Sequence, residues 1–452
     1  MYKIENKKFY KEITLLALPI AGQYLISQIL QLLDNVMVGT LGEECISAVA
    51  ISGTLAWLIM TFFMGFASGA SVLSAQEYGR KNLGQMRTLA ATTIRINLMV
   101  SLIFFLLATF FPASLMSLYT NQTGIIEQGV TYVSIIKYSI PLYGISSALV
   151  SMLQSGKNVK IGLINTMVST LVNAGLNYIL IFGKFGFPVL GLKGAAIATL
   201  IARFCEFCIV MVYVLCIEKE IQFRLFDLKN RLTLDVFKTL MKVSLPILAI
   251  EVLGNLVSSV QTSITGHISA FYIAANSIVH TAWVIPSTLS FGISIAAGVM
   301  IGNVIGEGNK EKVYAYGNRF VSFGYVFGVF NSIVLTLILP VIMSYYHVSS
   351  DTLDLASKMG RLAIVTVFFI STSSIVCNGV IKASGQTQTL LKIDILSNWA
   401  IAIPLGYICA FILKVPVHYL YLILRSGNIF KSIWGIHKVK GNHWLNELKK
   451  VE

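Results

Sequence analysis

The sequence predicts an all-α integral membrane protein, with twelve transmembrane helices arranged as two six-helix bundles that form a parallel repeat. Three observations carry this. Hydrophobic residues make up 56% of the 452-residue chain and charged residues 12%, where a soluble domain carries about 25% charged residues. The apolar runs are about 20 residues long, the length of a spanning helix and not of the alternating ten-residue strands of a barrel. Finally, the chain is written twice. An offset of 227 residues lays Leu18-Pro19-Ile20 on Leu245-Pro246-Ile247, Gly39 on Gly266, Gly65 on Gly292, and Gly79 to Asn82 on Gly306 to Asn309. A slip of two residues keeps Ser155-Gly156 over Ser384-Gly385.

Taken in order, the apolar runs centre near residues 26, 60, 100, 142, 172 and 203 in the first half, and near 254, 286, 328, 370, 401 and 425 in the second. Four lysines (Lys3, Lys7, Lys8, Lys11) precede the first run and no small-residue cleavage site follows it, so the first helix is expected to be retained. The twelfth run is the weakest, because Arg425 and Lys431 interrupt it. The only long polar stretch inside the chain separates the halves. This gives an amino-terminal lobe at residues 1–217, a linker at 218–242 and a carboxyl-terminal lobe at 243–452.

Basic residues favour one set of loops. That set holds the first four lysines, Arg80, Lys81, Arg87, Lys157, Lys160, the linker with Lys219, Arg224, Lys229, Arg231, Lys238 and Lys242, then Lys310, Lys312, Lys382, Lys392 and a tail reaching Lys449 and Lys450. The opposite loops hold only Lys184, Lys193, Lys358, Arg361 and Lys414. The positive-inside rule then places both termini in the cytoplasm of a multi-pass cell-membrane protein. Six spans separate equivalent points of the halves, so both enter from the same side and their pseudo-two-fold axis runs along the membrane normal.

A formal charge of +14 suggests polyanions, but its spread over all the cytoplasmic loops points to anionic lipid headgroups and excludes a nucleic-acid interface. Cys205 and Cys208 have C-x-x-C spacing with no second pair and read as small residues of an apolar helix. Phosphate loops, dinucleotide-binding glycines and H-E-x-x-H are missing from the sequence. No cofactor is expected. Uphill transport by such a chain would have to be driven by an ion gradient or by a partner, and the natural expectation is a monomer.

Polar residues inside apolar spans are costly, about 2.5–3.5 kcal/mol for an ionised group at mid-membrane, and so mark candidate sites. Asp34 lies in the outer part of the first span, on one helical face with Ser27 and Gln31. Asn173 and Asn177 superpose in the fifth span, and Thr199 of the sixth can approach them if the first six helices pack as one bundle. A carboxylate, two amides and a hydroxyl could bind a proton or, through oxygen ligands, a hard cation such as Na+. The alternative is that the amides and hydroxyl simply knit helices together. The seventh span carries its own acid, Glu251, followed by Asn255, Ser258 and Thr262. With Gln31, Asn255 and Ser258 are candidates for a substrate cavity. The repeat offset sets Asp34 opposite Gln261 and Glu251 opposite Tyr24, so the shared fold requires neither acid. Pro19, Pro141, Pro286 and Pro404 permit kinks, which serve either as static shape or as hinges.

These residues give the whole chain a resemblance to the multidrug and toxic compound extrusion (MATE) family. It rests on Leu18-Pro19-Ile20, on Asp34-Asn35-Val36-Met37-Val38-Gly39, and on Ala75-Gln76-Glu77-Tyr78-Gly79. Asn173 to Phe182, Gly191 to Thr199, and Ala383-Ser384-Gly385-Gln386-Thr387 add to it. The resemblance implies a secondary active antiporter, coupled to H+ or Na+, that exports organic and often cationic compounds by alternating access. It also implies an amino-lobe ion or proton site at Asp34, Asn173, Asn177 and Thr199, a bending proline at Pro19 and a carboxyl-lobe acid at Glu251. Three departures stand out. Asn177 is an Asp in some relatives, and Ser371 to Ser374 stand where relatives with a carboxyl-lobe sodium site carry an Asp. Arg425-Ser426-Gly427-Asn428 is also unlike the usual twelfth helix. Two rival readings are a lipid-linked saccharide flippase, which would line its cleft with Arg and Lys, and a non-transporting membrane enzyme or receptor. Intramembrane basic candidates are few, chiefly Arg95, Lys137, Arg203 and Arg319.

Overall fold

The structure, a computed structural model, describes residues 5–229, 233–441 and 444. Lys3, Arg231, Lys449 and Lys450 of the basic pattern lie outside these residues. The described residues are helical almost throughout and contain no strand, as expected of a chain whose backbone polar groups must be satisfied within each span in lipid.

Among the described residues, ten helices are long and apolar enough to cross a membrane unaided: Asn6–Gly39, Glu43–Gly79, Leu83–Phe110, Lys160–Phe182, Leu192–Ile217, Leu234–Gly266, Phe271–Gly306, Lys310–Tyr345, Ser350–Ile381 and Thr387–Ile412. They are the first to third and the fifth to eleventh spans. The fourth is a pair, Thr123–Ile136 and Ser139–Ser155, bent by 50°. Pro141 explains the bend: it has no N–H for the carbonyl of Lys137 one turn earlier, so the ladder breaks there. The twelfth is also broken, into Val417–Leu424 and Ser426–Lys440, with Arg425 at the join. Large apolar side chains such as Leu102, Val326 and Leu337 are left exposed, the surface that lipid solvates.

The internal repeat recurs in local chemistry. Asn82 caps the third span by accepting a hydrogen bond from the Gln85 amide (3.2 Å), and Asn309 caps the ninth by accepting one from Lys312 (3.0 Å). Each satisfies an N–H that a helix start leaves without a partner. Pro19 and Pro246 both sit inside unbroken helices.

The chain divides into two compact units that do not follow its order. One comprises residues 1–21, 75–81 and 249–452; the other comprises 22–74 and 82–248. In the second unit, Gly65 admits the backbone of Leu248, where a Cβ would come within 3.2 Å of its Cα. In the first, Gly292 does the same for Ala21, 2.9 Å from its nitrogen. These are equivalent contacts under the repeat. Also in the first unit, the ends of the second and eighth spans meet backbone to backbone. A Cβ on Gly79 would lie 2.8 Å from the Asn303 carbonyl carbon, and one on Gly306 would lie 2.9 Å from the Arg80 nitrogen. Small residues allow such approaches, which gain van der Waals contact where no hydrophobic force drives helices together in lipid.

Polar side chains knit the first unit. Asn331 donates to Ser290 (2.6 Å) and to Ser371 (2.9 Å), Ser294 donates to the Ser374 carbonyl (2.7 Å), and Thr372 donates to the Gly324 carbonyl (3.2 Å). The serine-rich stretch of the tenth span therefore ties that helix to the eighth and ninth.

Candidate functional site

The second unit brings Asp34, Asn177, Asn173 and Thr199 into one chain of hydrogen bonds. The amide nitrogen of Asn177 donates to Asp34 Oδ1 at 2.6 Å and to Asn173 Oδ1 at 3.0 Å. Asn173 Nδ2 donates to Thr199 Oγ1 at 3.2 Å, and that hydroxyl donates to the Ala195 carbonyl of its own helix at 3.0 Å. The four-residue spacing of the asparagines stacks them on one face of the fifth span, where both are almost fully buried, while Asp34 is partly exposed. The Tyr132 hydroxyl of the fourth span lies near Thr199. Among the described residues, Asn177 Oδ1 is buried with no hydrogen-bond partner. A buried orphan acceptor costs about 1–3 kcal/mol, and beside a carboxylate it leaves room for a donor or a cation.

One ion pair adjoins this chain. Arg203 of the sixth span lies within electrostatic reach of Asp34 and pairs with Glu206 at 2.6 Å. Its guanidinium packs over the Tyr143 ring at 4.8 Å. Sequence reasoning noted Arg203 but missed Glu206, although the three-residue spacing on one helix was a usable signal.

Pro19 lies inside the first span in the first unit, and Gln31 is exposed one turn before Asp34. The first unit also holds the second acid. Glu251, Asn255 and Ser258 are all exposed along the seventh span. The Ser258 hydroxyl bonds to the Gly254 carbonyl, and Thr262 to the Ser258 carbonyl. These hydroxyls turn back on their own helix and do not converge with Glu251 as the amino-half residues converge with Asp34. Lys382 and Lys431 lie within electrostatic reach of Glu251. Lys431 itself pairs with Asp394 of the eleventh span at 2.8 Å, with both side chains at most 8% exposed. That pair, 37 residues apart, had no signal in the sequence.

The sequence model of the MatE family matches residues 19–179 and again residues 246–408, two copies whose starts are set apart by the same 227-residue offset. The chain belongs to the MatE family. MatE proteins are multi-pass membrane transporters, not enzymes. Curated relatives include the probable multidrug resistance protein NorM of Thermotoga maritima, 25% identical with 95% of this chain and 92% of that protein covered. The probable multidrug resistance protein YoeA of Bacillus subtilis is 22% identical, with 92% and 90% covered. Among solved structures, the bent form of the Vibrio cholerae MATE transporter VcmN superposes with a TM-score of 0.86 at 17% identity, with 98% of each chain covered. An outward-facing multidrug resistance MATE family transporter gives the same score at 16% identity, with 97% of this chain and 96% of that one covered. Likeness at this identity carries the fold, so the twelve-helix MatE architecture is that of this chain.

Proposed function

We propose that the chain is an ion-coupled antiporter of the cell membrane that exports small organic, often cationic, compounds, with Asp34, Asn177, Asn173 and Thr199 as its coupling site. The observation that carries the reading is the Asp34 carboxylate held by Asn177, whose own carbonyl oxygen is left without a donor. A proton on Asp34, or a Na+ ion, would supply what that oxygen lacks. The donor set offers oxygens from Asp34, Asn177, Asn173 and Thr199, the ligand type that suits a hard cation.

In this mechanism the ion binds the site in one conformation and leaves it in the other while the organic compound moves the opposite way. The ion drives the cycle only through its different affinity for the two states. Pro19, which has no N–H to give to the ladder of the helix carrying Asp34, is the point where that helix would bend as the state changes. Glu251 of the other half is a second acid for the same task, or for holding a cationic substrate with Gln31, Asn255 and Ser258. The chain works as a monomer, with both termini in the cytoplasm and its basic loops against anionic headgroups, and requires no cofactor or nucleic acid.

The basic side chains weigh against a pyrophosphate-binding flippase. Arg95 donates to the Leu228 carbonyl (2.7 Å), Lys137 to Thr109 (3.1 Å) and Arg319 to Asn6, while Arg203 is neutralised by Glu206. The deciding experiment is efflux of rhodamine 123 from proteoliposomes holding the purified protein, with a pH gradient and a Na+ gradient imposed separately. Uphill movement under one of them is expected; movement under neither overturns the antiporter reading.

A further inference from the structure

The positions equivalent to the Asp34 site in the second half carry no charge, and a cation, Arg425, follows the residue that one of them contacts. The 227-residue offset places Gln261 at the position of Asp34, and the 229-residue offset seen at Ser155-Gly156 and Ser384-Gly385 places Ala402 and Gly406 at Asn173 and Asn177. No acid remains. Gln261 Nε2 instead donates to the Leu424 carbonyl at 2.6 Å, which ties the seventh span to the residue next to Arg425.

Arg425 stands at the break in the twelfth span. Its guanidinium lies 3.9 Å over the ring of Tyr421 and donates to Asn276 Oδ1 at 3.2 Å. The Tyr272 hydroxyl is within hydrogen-bonding reach of it. Both tyrosines are almost completely buried. Among the described residues, no carboxylate pairs with Arg425, whereas Arg203 and Lys431 each have one. An ionisable group among membrane helices is costly, and one lacking a counter-ion points to a function.

Three further features make a receptor for negative charge. The helix starts again at Ser426, where Arg425 at its cap supplies no side-chain acceptor and its carbonyl takes the Asn428 N–H (3.1 Å), at the positive end of the helix dipole. The Ser426 hydroxyl is buried with no partner among the described residues. Broken transmembrane helices present such half-helix ends to anionic groups. Along the eighth span, His280 follows Asn276 by four residues, is exposed, and packs on Trp283 at 5.7 Å between ring centres, an aromatic flank for an apolar body.

We propose that Arg425, Asn276 and Ser426 form a binding site for the anionic group (carboxylate, sulfonate or phosphate) of an amphipathic molecule, so that the second half takes acids where the first holds one. The guanidinium donates to the anion in place of a fixed carboxylate, and the Ser426 hydroxyl completes its shell. The site stands independently of ion-coupled export.

The test uses the purified full chain in phosphatidylcholine nanodiscs and two dyes built on one xanthene scaffold, anionic fluorescein and cationic rhodamine 123, read by fluorescence anisotropy. Saturable fluorescein binding is expected, weakened at least tenfold by Arg425→Gln and less by Arg425→Lys, with rhodamine 123 affinity unchanged in both. Sulfate displaces fluorescein but not rhodamine 123 from the unaltered protein, a measurement that needs no variant to fold. In phosphatidylglycerol nanodiscs, weaker fluorescein binding identifies a lipid headgroup as a natural occupant, and unchanged binding identifies a soluble organic acid; either is consistent with the site. Absence of saturable fluorescein binding, failure of sulfate to compete, or an equal effect of Arg425→Gln on both dyes overturns the proposal. Loss of gradient-driven rhodamine 123 efflux, by contrast, would count against the export reading and leave this site standing.

Discussion

Asn177 holds Asp34 at 2.6 Å with the same nitrogen that holds Asn173 at 3.0 Å, while its own oxygen is buried and has no donor among the described residues. One side chain thus fixes the carboxylate and also presents the vacant acceptor beside it. In the proposed coupling cycle, Asp34 is the group whose charge the rest of the site would sense.

Asp34→Asn removes the only carboxylate in this chain of hydrogen bonds but keeps its shape. The variant is expected to fold, with a thermal midpoint within a few degrees of the parent, and to lose ion-driven efflux completely. An Asp34→Asn protein that still exports dye against a gradient in proteoliposomes would sink the assignment.

Graded losses are expected along the chain of hydrogen bonds. A hydrogen bond to a charged group contributes about 1.5–3 kcal/mol, and a neutral one about 1 kcal/mol. Asn177→Leu, which strips the donor from Asp34, should slow initial efflux by about tenfold or more. Thr199→Val, which reaches Asp34 only through Asn173, should slow it about fivefold or less. Equal losses at the two positions would show that the residues do not act in series.

The Lys431–Asp394 pair is buried on both sides. Breaking such a pair by removing one partner costs about 3–5 kcal/mol, because a bare charge is left behind, whereas replacing both with apolar side chains is often neutral. Lys431→Met should therefore lower the thermal midpoint in detergent sharply, and adding Asp394→Leu should restore most of it. If the double variant is as unstable as the single one, the pair is doing more than neutralising itself.

Gly306 leaves no room for a side chain against the second span. Gly306→Leu should destabilise the protein by at least the 1–3 kcal/mol typical of overpacking, about, since backbone and not a movable side chain stands in the way. Gly53→Ala is the control, because nothing lies within 4 Å of the added carbon; it should be neutral or slightly stabilising. Thermal shift monitored by size-exclusion chromatography compares the two.

Composition and repeat were enough to read the helical membrane class, because lipid leaves the backbone so few ways to cross it. Asp34, Asn173 and Asn177 were legible for a related reason: a polar face on an apolar helix is conspicuous, and the four-residue spacing gives its direction. Other features needed coordinates. Asp394 with Lys431, and Arg425 with Asn276, join residues of different helices, and helical periodicity says which face a residue occupies without naming the helix opposite. The polar stripe of the seventh span shows the converse. Its spacing matches a site as well as the fifth span does, yet the Ser258 and Thr262 hydroxyls bond to their own backbone, a choice that spacing does not reveal.

The chain passes from one compact unit to the other after Ala21 and again after Leu248, positions that the repeat makes equivalent. Each half therefore lends its leading segment to the core of the other. A half on its own would lack part of its core unless it exchanged leading segments with a second copy, as swapped dimers do. Carrying both copies in one chain makes that exchange intramolecular and independent of concentration, and leaves each copy free to hold its own charged residue, Asp34 in one and Arg425 in the other.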